Sequence, residues 1–172
     1  SRCMWLPQNL VWLSVRFAMT AHNIHYKPVT RSHAEAITLI FCDVYGADRQ
    51  QESDVIMKLC CHSTCFGVVS FDADYPVGFI LLQQAVNTAD VIELCVRESV
   101  RRQGIGRHLL EQGLHLASKH GVSCVLLEVE ATNNSAYKLY RSSGFELVGK
   151  RPNYYRQRAT TSDALVLKCH LS

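Results

Sequence analysis

The chain has little of what marks a nucleic-acid binder, a repeat array or a membrane span. Its 18 lysines and arginines stand against 15 aspartates and glutamates, a net charge of +3. That excess is too small to argue for a polyanionic polymer as partner. No internal repeat or low-complexity tract occurs. The most apolar N-terminal stretch, Met4 to Ala18, is interrupted by Pro7, Gln8, Asn9 and Arg16. It is too short to cross a bilayer and lacks the clean apolar centre of a signal peptide. Residues 1–23 therefore read as an N-terminal extension of uncertain role, with Met19 a natural start for the domain beyond it, and no membrane partner is expected.

Two familiar phosphate loops are missing as well. A Walker loop needs Lys-Ser or Lys-Thr after its glycines, and a dinucleotide fingerprint needs three glycines in Gly-x-Gly-x-x-Gly. Here Arg107 follows Gly106, and the third fingerprint place falls on Leu109. Cysteine, by contrast, is abundant at eight residues. Cys42, Cys95, Cys124 and Cys169 lie in apolar segments, where a free thiol behaves as a small hydrophobe. The cluster Cys60-Cys61-His62-Ser63-Thr64-Cys65 has adjacent ligands and no second pair elsewhere, a poor match to a tetrahedral zinc site. The expectation is no metal, reduced thiols and a cytoplasmic protein.

What remains is one domain over residues 24–172. The chain has 172 residues, 48% hydrophobic and 19% charged, enough for a single core. Ile24 to Val29 reads as a strand. Thr30 and Ser32 are plausible caps for a helix over His33 to Tyr45, stopped by Gly46. A shorter helix is expected from Asp54 to about His62. Phe66 to Phe71, Val77 to Leu82 and Val91 to Val96 read as strands. After the first strand the order α, α, β, β, β, α, β, α, β, β predicts an α/β (α+β) fold, a mixed central sheet flanked by helices.

The run Arg101-Arg102-Gln103-Gly104-Ile105-Gly106-Arg107 falls between a strand and an amphipathic helix. Glycines at the positive start of a helix free the backbone N–H groups to grip a pyrophosphate. Farther on, Leu127-Glu128-Val129-Glu130-Ala131-Thr132-Asn133 leads into Tyr137-Lys138-Leu139-Tyr140 and Gly144-Phe145. The pattern Arg-x-x-Gly-x-Gly with this second stretch resembles the Gcn5-related N-acetyltransferases, which use acetyl-coenzyme A. From about Asp90 to Leu171, including Arg151-Pro152-Asn153-Tyr154-Tyr155, it is similar to their RimI-like branch, the ribosomal-protein-alanine N-acetyltransferases.

The resemblance implies the fold of that superfamily and an acceptor that is a protein N-terminus, most simply alanine on a small-subunit ribosomal protein. It implies main-chain contacts to the pantetheine arm from Leu94, Cys95 and Val96. Arg102, Gln103, Gly104, Ile105, Gly106 and Arg107 would wrap the pyrophosphate, and Asn133 would reach the arm from the other side. It gives Glu128 as base and Tyr140 as acid. An α-ammonium titrates near ~8 and tyrosine near ~10, so a carboxylate can take the first proton and a neutral phenol can supply the second. Glu128 also interrupts an apolar strand, where a charge is costly unless it serves something. Tyr140 on residue type alone could equally be a core aromatic, and Asn133 a helix cap. Glu93 is the rival base; strict alternation would point it away from both Ile92 and Leu94. Tyr154 and Tyr155 are expected near the incoming peptide. Lysine, polyamine or other small-amine acetylation, and a non-catalytic acyl-coenzyme A module, remain the alternatives.

Overall fold

The computed structural model describes residues 22–46, 49–157 and 160–172. The expected N-terminal extension lies outside the described residues except for its last two. The elements are β1 (Ile24–Pro28), α1 (Ala34–Tyr45), α2 (Gln50–Cys60), β2 (Cys65–Asp72), β3 (Tyr75–Ala85) and β4 (Thr88–Val96). They continue with α3 (Ile105–Lys119), β5 (Cys124–Glu130), α4 (Asn134–Ser142), β6 (Glu146–Gln157) and β7 (Thr160–His170). The strands form one sheet in the order β1-β2-β3-β4-β5-β7-β6. Every neighbouring pair is antiparallel except β4 and β5, which α3 connects as parallel strands require.

Apolar periodicity puts helices on both faces. On α1, Ala34, Ile37, Ile40 and Phe41 are buried and share a core with Val69, Phe79, Leu81 and Cys95. On α3, Ile105, Leu109, Leu110, Gly113 and Ala117 are buried, and the apolar ones pack with Val68, Ile80 and Leu82 on the opposite face. Burying each large aliphatic side chain contributes roughly 1.5–3 kcal/mol. Gly113 sets how closely α3 lies on the sheet: a Cβ there would stand 3.0 Å from Ile80 Cδ1.

Helix boundaries depart from the sequence pattern in explicable ways. A single 3-10 turn, Arg31–His33, precedes α1, and the Thr30 N–H donates to His33 Nδ1 at 3.1 Å. The second helix starts at Gln50 rather than Asp54 and ends at Cys60 rather than His62. A turn intervenes before β2, braced by His62 Nδ1 against Thr64 Oγ1 at 2.8 Å. Among the described residues no group of three His, Cys, Asp or Glu side chains is placed to hold a metal, and none of their helices is long and apolar enough to cross a membrane.

Arg97, just past β4, is buried. Its Nη1 lies 2.7 Å from Asp43 Oδ2 on α1, and its Nε donates to the Pro76 carbonyl at 2.8 Å. This pair ties the end of β4 to α1, and so fixes one wall of the cleft that opens beside β4.

Candidate active site

Parallel strands β4 and β5 pair only where Thr88, Ala89 and Asp90 face Cys124, Val125 and Leu126. Just beyond, β4 carries an extra residue against β3: Val91 faces Leu82 and Glu93 faces Leu81, leaving Ile92 between them. Such a bulge bends and twists its strand. Past it, β4 and β5 part, and a cleft of about 300 Å³ lies between them. Glu93 and Leu94 line it from β4, Glu128 and Glu130 from β5, Asn133 and Tyr140 from the start and body of α4.

The bulge corrects the simple alternation expected for Glu93. Leu94 and Val96 pack toward α3, whereas Ile92 and Cys95 belong to the α1 side. Glu93 also meets α1, through the Tyr45 hydroxyl, which donates to its Oε1 at 2.8 Å. Glu93 therefore points away from Leu94 but shares a face with Ile92, because the inserted residue breaks the period-2 pattern locally. Burial pushes its carboxyl up to about 7; the Tyr45 hydrogen bond, the Leu94 backbone N–H and the Arg49 charge pull it partly back. Tyr45 is itself held above the usual phenol range by burial and by the adjacent carboxylate.

Glu128 has a different environment. Arg151 Nε on β6 lies 2.9 Å from its Oε1, so a cation faces it. Burial and the Glu128 charge raise the carboxyl of nearby Asp90. Tyr140 is buried, packs edge-on against Phe145 at 5.8 Å, and is held above the ordinary phenol range by burial and by Glu93. A phenol so placed keeps its proton at neutral pH and remains a donor. Tyr155 lines the same cleft and is pushed up to about 12, by burial and then by the Glu128 charge. Tyr154 is exposed and stands edge-on to Tyr155 at 5.2 Å, with the Arg151 guanidinium over its ring.

The basic glycine turn opens α3. Gly104 is the residue before the first helical turn, in left-handed conformation at φ 80°, and supplies no side-chain cap. The first-turn N–H groups have no intrahelical acceptors and face outward at the positive end of a 15-residue helix. A Cβ on Gly104 would meet nothing within 4 Å, so this face is open. A Cβ on Gly106 would lie 3.7 Å from Leu139 Cδ2 and 3.8 Å from Val96 Cγ2. The helix start therefore abuts both the end of β4 and α4, beside the cleft. Arg107 ties α3 to α4 through Ser142 Oγ at 2.8 Å, and Arg101 Nε holds the Val96 carbonyl at 2.9 Å.

Comparison with known proteins decides the family. The model of the Acetyltransferase (GNAT) family matches residues 34–145. The chain belongs to the GNAT acetyltransferase family. A relative in Escherichia coli K12, [ribosomal protein bS18]-alanine N-acetyltransferase, is 35% identical over 95 residues, covering 55% of this chain and 64% of that protein. The crystal structure of the ribosomal-protein-S18-alanine N-acetyltransferase from E. coli superposes with a TM-score of 0.75 at 24% identity, covering 87% of this chain and 94% of that one. The PaiA N-acetyltransferase of Thermoplasma acidophilum, solved in complex with coenzyme A, superposes at 0.69 with 16% identity over 86% of this chain and 99% of that one. These superpositions establish the GNAT fold expected from the sequence.

Within this GNAT domain the residues singled out by sequence divide into two neighbouring groups. Leu94, Glu128, Asn133 and Tyr140 line the cleft together with the rival Glu93. Arg102, Gln103, Gly104, Ile105, Gly106 and Arg107 form the adjoining turn and helix start. Val96 sits where the two meet, and the Cys95 side chain is buried on the α1 side. Asn133 caps α4, its Oδ1 accepting the Ala136 N–H at 3.1 Å, so the structural role holds whatever else its amide does. Sequence reading missed Tyr45 and Arg49, which line the cleft from α1 and the approach to α2. The only available signal was a tyrosine closing an amphipathic helix just before a glycine, which by itself names no partner.

Proposed function

We propose that this chain transfers the acetyl group of acetyl-coenzyme A to a protein N-terminal α-amine, in the cytoplasm, with the alanine of a small-subunit ribosomal protein as acceptor. The observation that carries the reading is the juxtaposition of an open, basic helix start with a cleft that holds carboxylates and a buried tyrosine. Helix dipole, outward N–H groups and two arginines suit a pyrophosphate. The E. coli relative, a [ribosomal protein bS18]-alanine N-acetyltransferase, supplies the acceptor class. The matched stretch spans 64% of that relative, and the acceptor itself rests on this similarity.

In this reading residues 102–107 hold the pyrophosphate, main-chain groups of Leu94, Cys95 and Val96 receive the pantetheine arm, and Asn133 closes it from the α4 side. Glu128 accepts a proton from the acceptor ammonium, and the freed nitrogen lone pair attacks the thioester carbonyl. The tetrahedral adduct gives up its second N–H proton within the cleft, and as it collapses the carbon–sulfur bond breaks and the departing thiolate takes its proton from Tyr140. The phenolate is then reprotonated with the proton held by Glu128, and the second nitrogen proton leaves to solvent, so the enzyme ends as it began. Acidic residues around the cleft favour a cationic acceptor by charge complementarity. Following thiol release from acetyl-coenzyme A, with and without an alanine-initiated peptide, tests the proposal. Peptide-dependent release supports it; acetyl-coenzyme A binding without any release on peptides, lysine or polyamines would leave only a binding module.

A further inference from the structure

We propose that Tyr45 is a positioning residue, holding Glu93 in the cleft as a second proton acceptor opposite Glu128. This deepens the transferase reading and rests on it. Tyr45 is the last residue of α1, and Gly46 at φ 94° turns the chain away immediately after it. The phenol ring packs on Phe41 at 4.7 Å, with the Arg49 guanidinium 5.6 Å from the ring centroid. Its hydroxyl, thus anchored, donates to Glu93 Oε1 at 2.8 Å. Glu93 stands opposite Leu81, which belongs to the α1-side core, with Ile92 the extra residue before it.

The two carboxylates of the cleft are held differently. Glu128 is paired with the half-exposed Arg151 at 2.9 Å. Glu93 forms no ion pair within 4.0 Å among the described residues; its close partner is a neutral phenol. A charge flanked by Ile92 and Leu94 on a strand is costly unless it is used, and a hydroxyl can orient it without cancelling it. The groups facing Glu93 are Tyr45 from α1, Arg49 before α2, Cys95 on its own strand, Glu128 and Glu130 from β5, Tyr140 from α4 and Tyr155 from β6. Arg49 is the cation among them, and it bonds to Glu52 at 3.1 Å. Burial leaves Glu93 titrating at about 7, where a carboxylate can both accept and release a proton near neutrality.

In the reaction the acceptor ammonium gives its first proton to Glu128; once the tetrahedral adduct has formed, a second N–H bond breaks with its electron pair staying on nitrogen, and that proton passes to Glu93 directly or through water. It leaves to solvent once the product amide departs.

The test measures kcat/KM against pH with acetyl-coenzyme A and an alanine-initiated peptide, alongside a carbon-13 NMR titration of the Glu93 carboxyl. Tyr45→Phe keeps the ring and removes the hydrogen bond that favours the carboxylate. The Glu93 titration and the acid limb of the profile should both move to higher pH by about one unit, the usual worth of a charge-assisted hydrogen bond. Activity at pH 7 should fall about fivefold, as the ionised fraction drops from one half to about one eleventh, and recover at alkaline pH, with KM for acetyl-coenzyme A unchanged. Glu93→Gln should remove the Glu93-dependent limb and leave the acceptor amine's own. An unmoved limb and unmoved carboxyl titration in folded Tyr45→Phe would overturn the role of Tyr45 while leaving the transferase reading intact. Failure of the wild-type protein to acetylate any amine would overturn both.

Discussion

Arg151 on β6 reaches over β7 to place its Nε 2.9 Å from Glu128 Oε1 on β5. The strand between them contributes buried Ala164, which faces Arg151 on one side and Glu130 on the other, while Val166 faces Glu128. Both partners retain contact with solvent, and such pairs are worth roughly 0–1 kcal/mol. The arrangement matters instead for where the Glu128 carboxylate points.

Replacing Arg151 should therefore separate stability from activity. Arg151→Gln is expected to change the unfolding free energy by less than ~1 kcal/mol and to lower kcat/KM by roughly tenfold, since Glu128, the proposed base, would lose orientation. Denaturant unfolding and steady-state kinetics on the same preparation check both halves.

The proposed pyrophosphate turn has an internal control. Gly104 and Gly121, flanking α3, both have positive φ, and a Cβ on either would meet nothing within 4 Å. Alanine at either position should cost ~1–2 kcal/mol in backbone strain. Only Gly104→Ala, which adds a methyl at the proposed phosphate site, should also weaken acetyl-coenzyme A binding, by about tenfold or more on calorimetry. Equal affinities in the two variants would remove the turn from the cofactor site.

Glu93 makes a pH-dependent prediction about stability that needs no substrate. Its carboxyl titrates at about 7 in the folded protein against 4.5 as an ordinary glutamate. Between those values the folded state binds more protons, so its stabilising contribution is complete below 4.5 and is lost as pH rises through 7. Glu93→Gln should then be about 1–2 kcal/mol more stable than wild type at pH 8, allowing for partial solvation, and nearly equal near pH 4.5. Thermal melts across that range would show the two curves diverging; parallel curves would contradict the raised titration.

Much of this architecture follows from local pattern. The helix stripe of α3, the strands β2 to β5 and the glycine turn all obey short-range periodicity and turn chemistry, which a sequence displays directly. The bulge at Ile92 does not: nothing in Val91-Ile92-Glu93-Leu94 marks which residue is extra, because the register is set by β3 across the sheet. For the same reason strict alternation misjudged the face that Glu93 shares with Ile92. Tyr45 and Arg151 escaped notice as partners of the two glutamates because each lies far away in sequence, at separations only the closed sheet brings together. Gly104 shows a further limit of reading residue type alone: its conformation demands glycine, and the space beside it is empty.

Tyr140→Phe tests the proposed acid. The ring remains packed on Phe145, so fold and acetyl-coenzyme A affinity should persist while turnover drops by roughly 10² or more. Glu128→Gln should also slow turnover and recover partly at alkaline pH, where more of the acceptor amine is already neutral. Normal turnover in both variants, with loss only in Glu93→Gln, would transfer the base role wholly to β4.

Above all, the acetyl group should end on a protein α-amine. The direct measurement is mass spectrometry of peptides incubated with isotopically labelled acetyl-coenzyme A, in a panel varying the first residue and carrying an internal lysine. Label is expected on the N-terminal nitrogen, strongest for alanine, and none on the lysine side chain. Label confined to the lysine, or no label on any peptide, would contradict the proposed transfer.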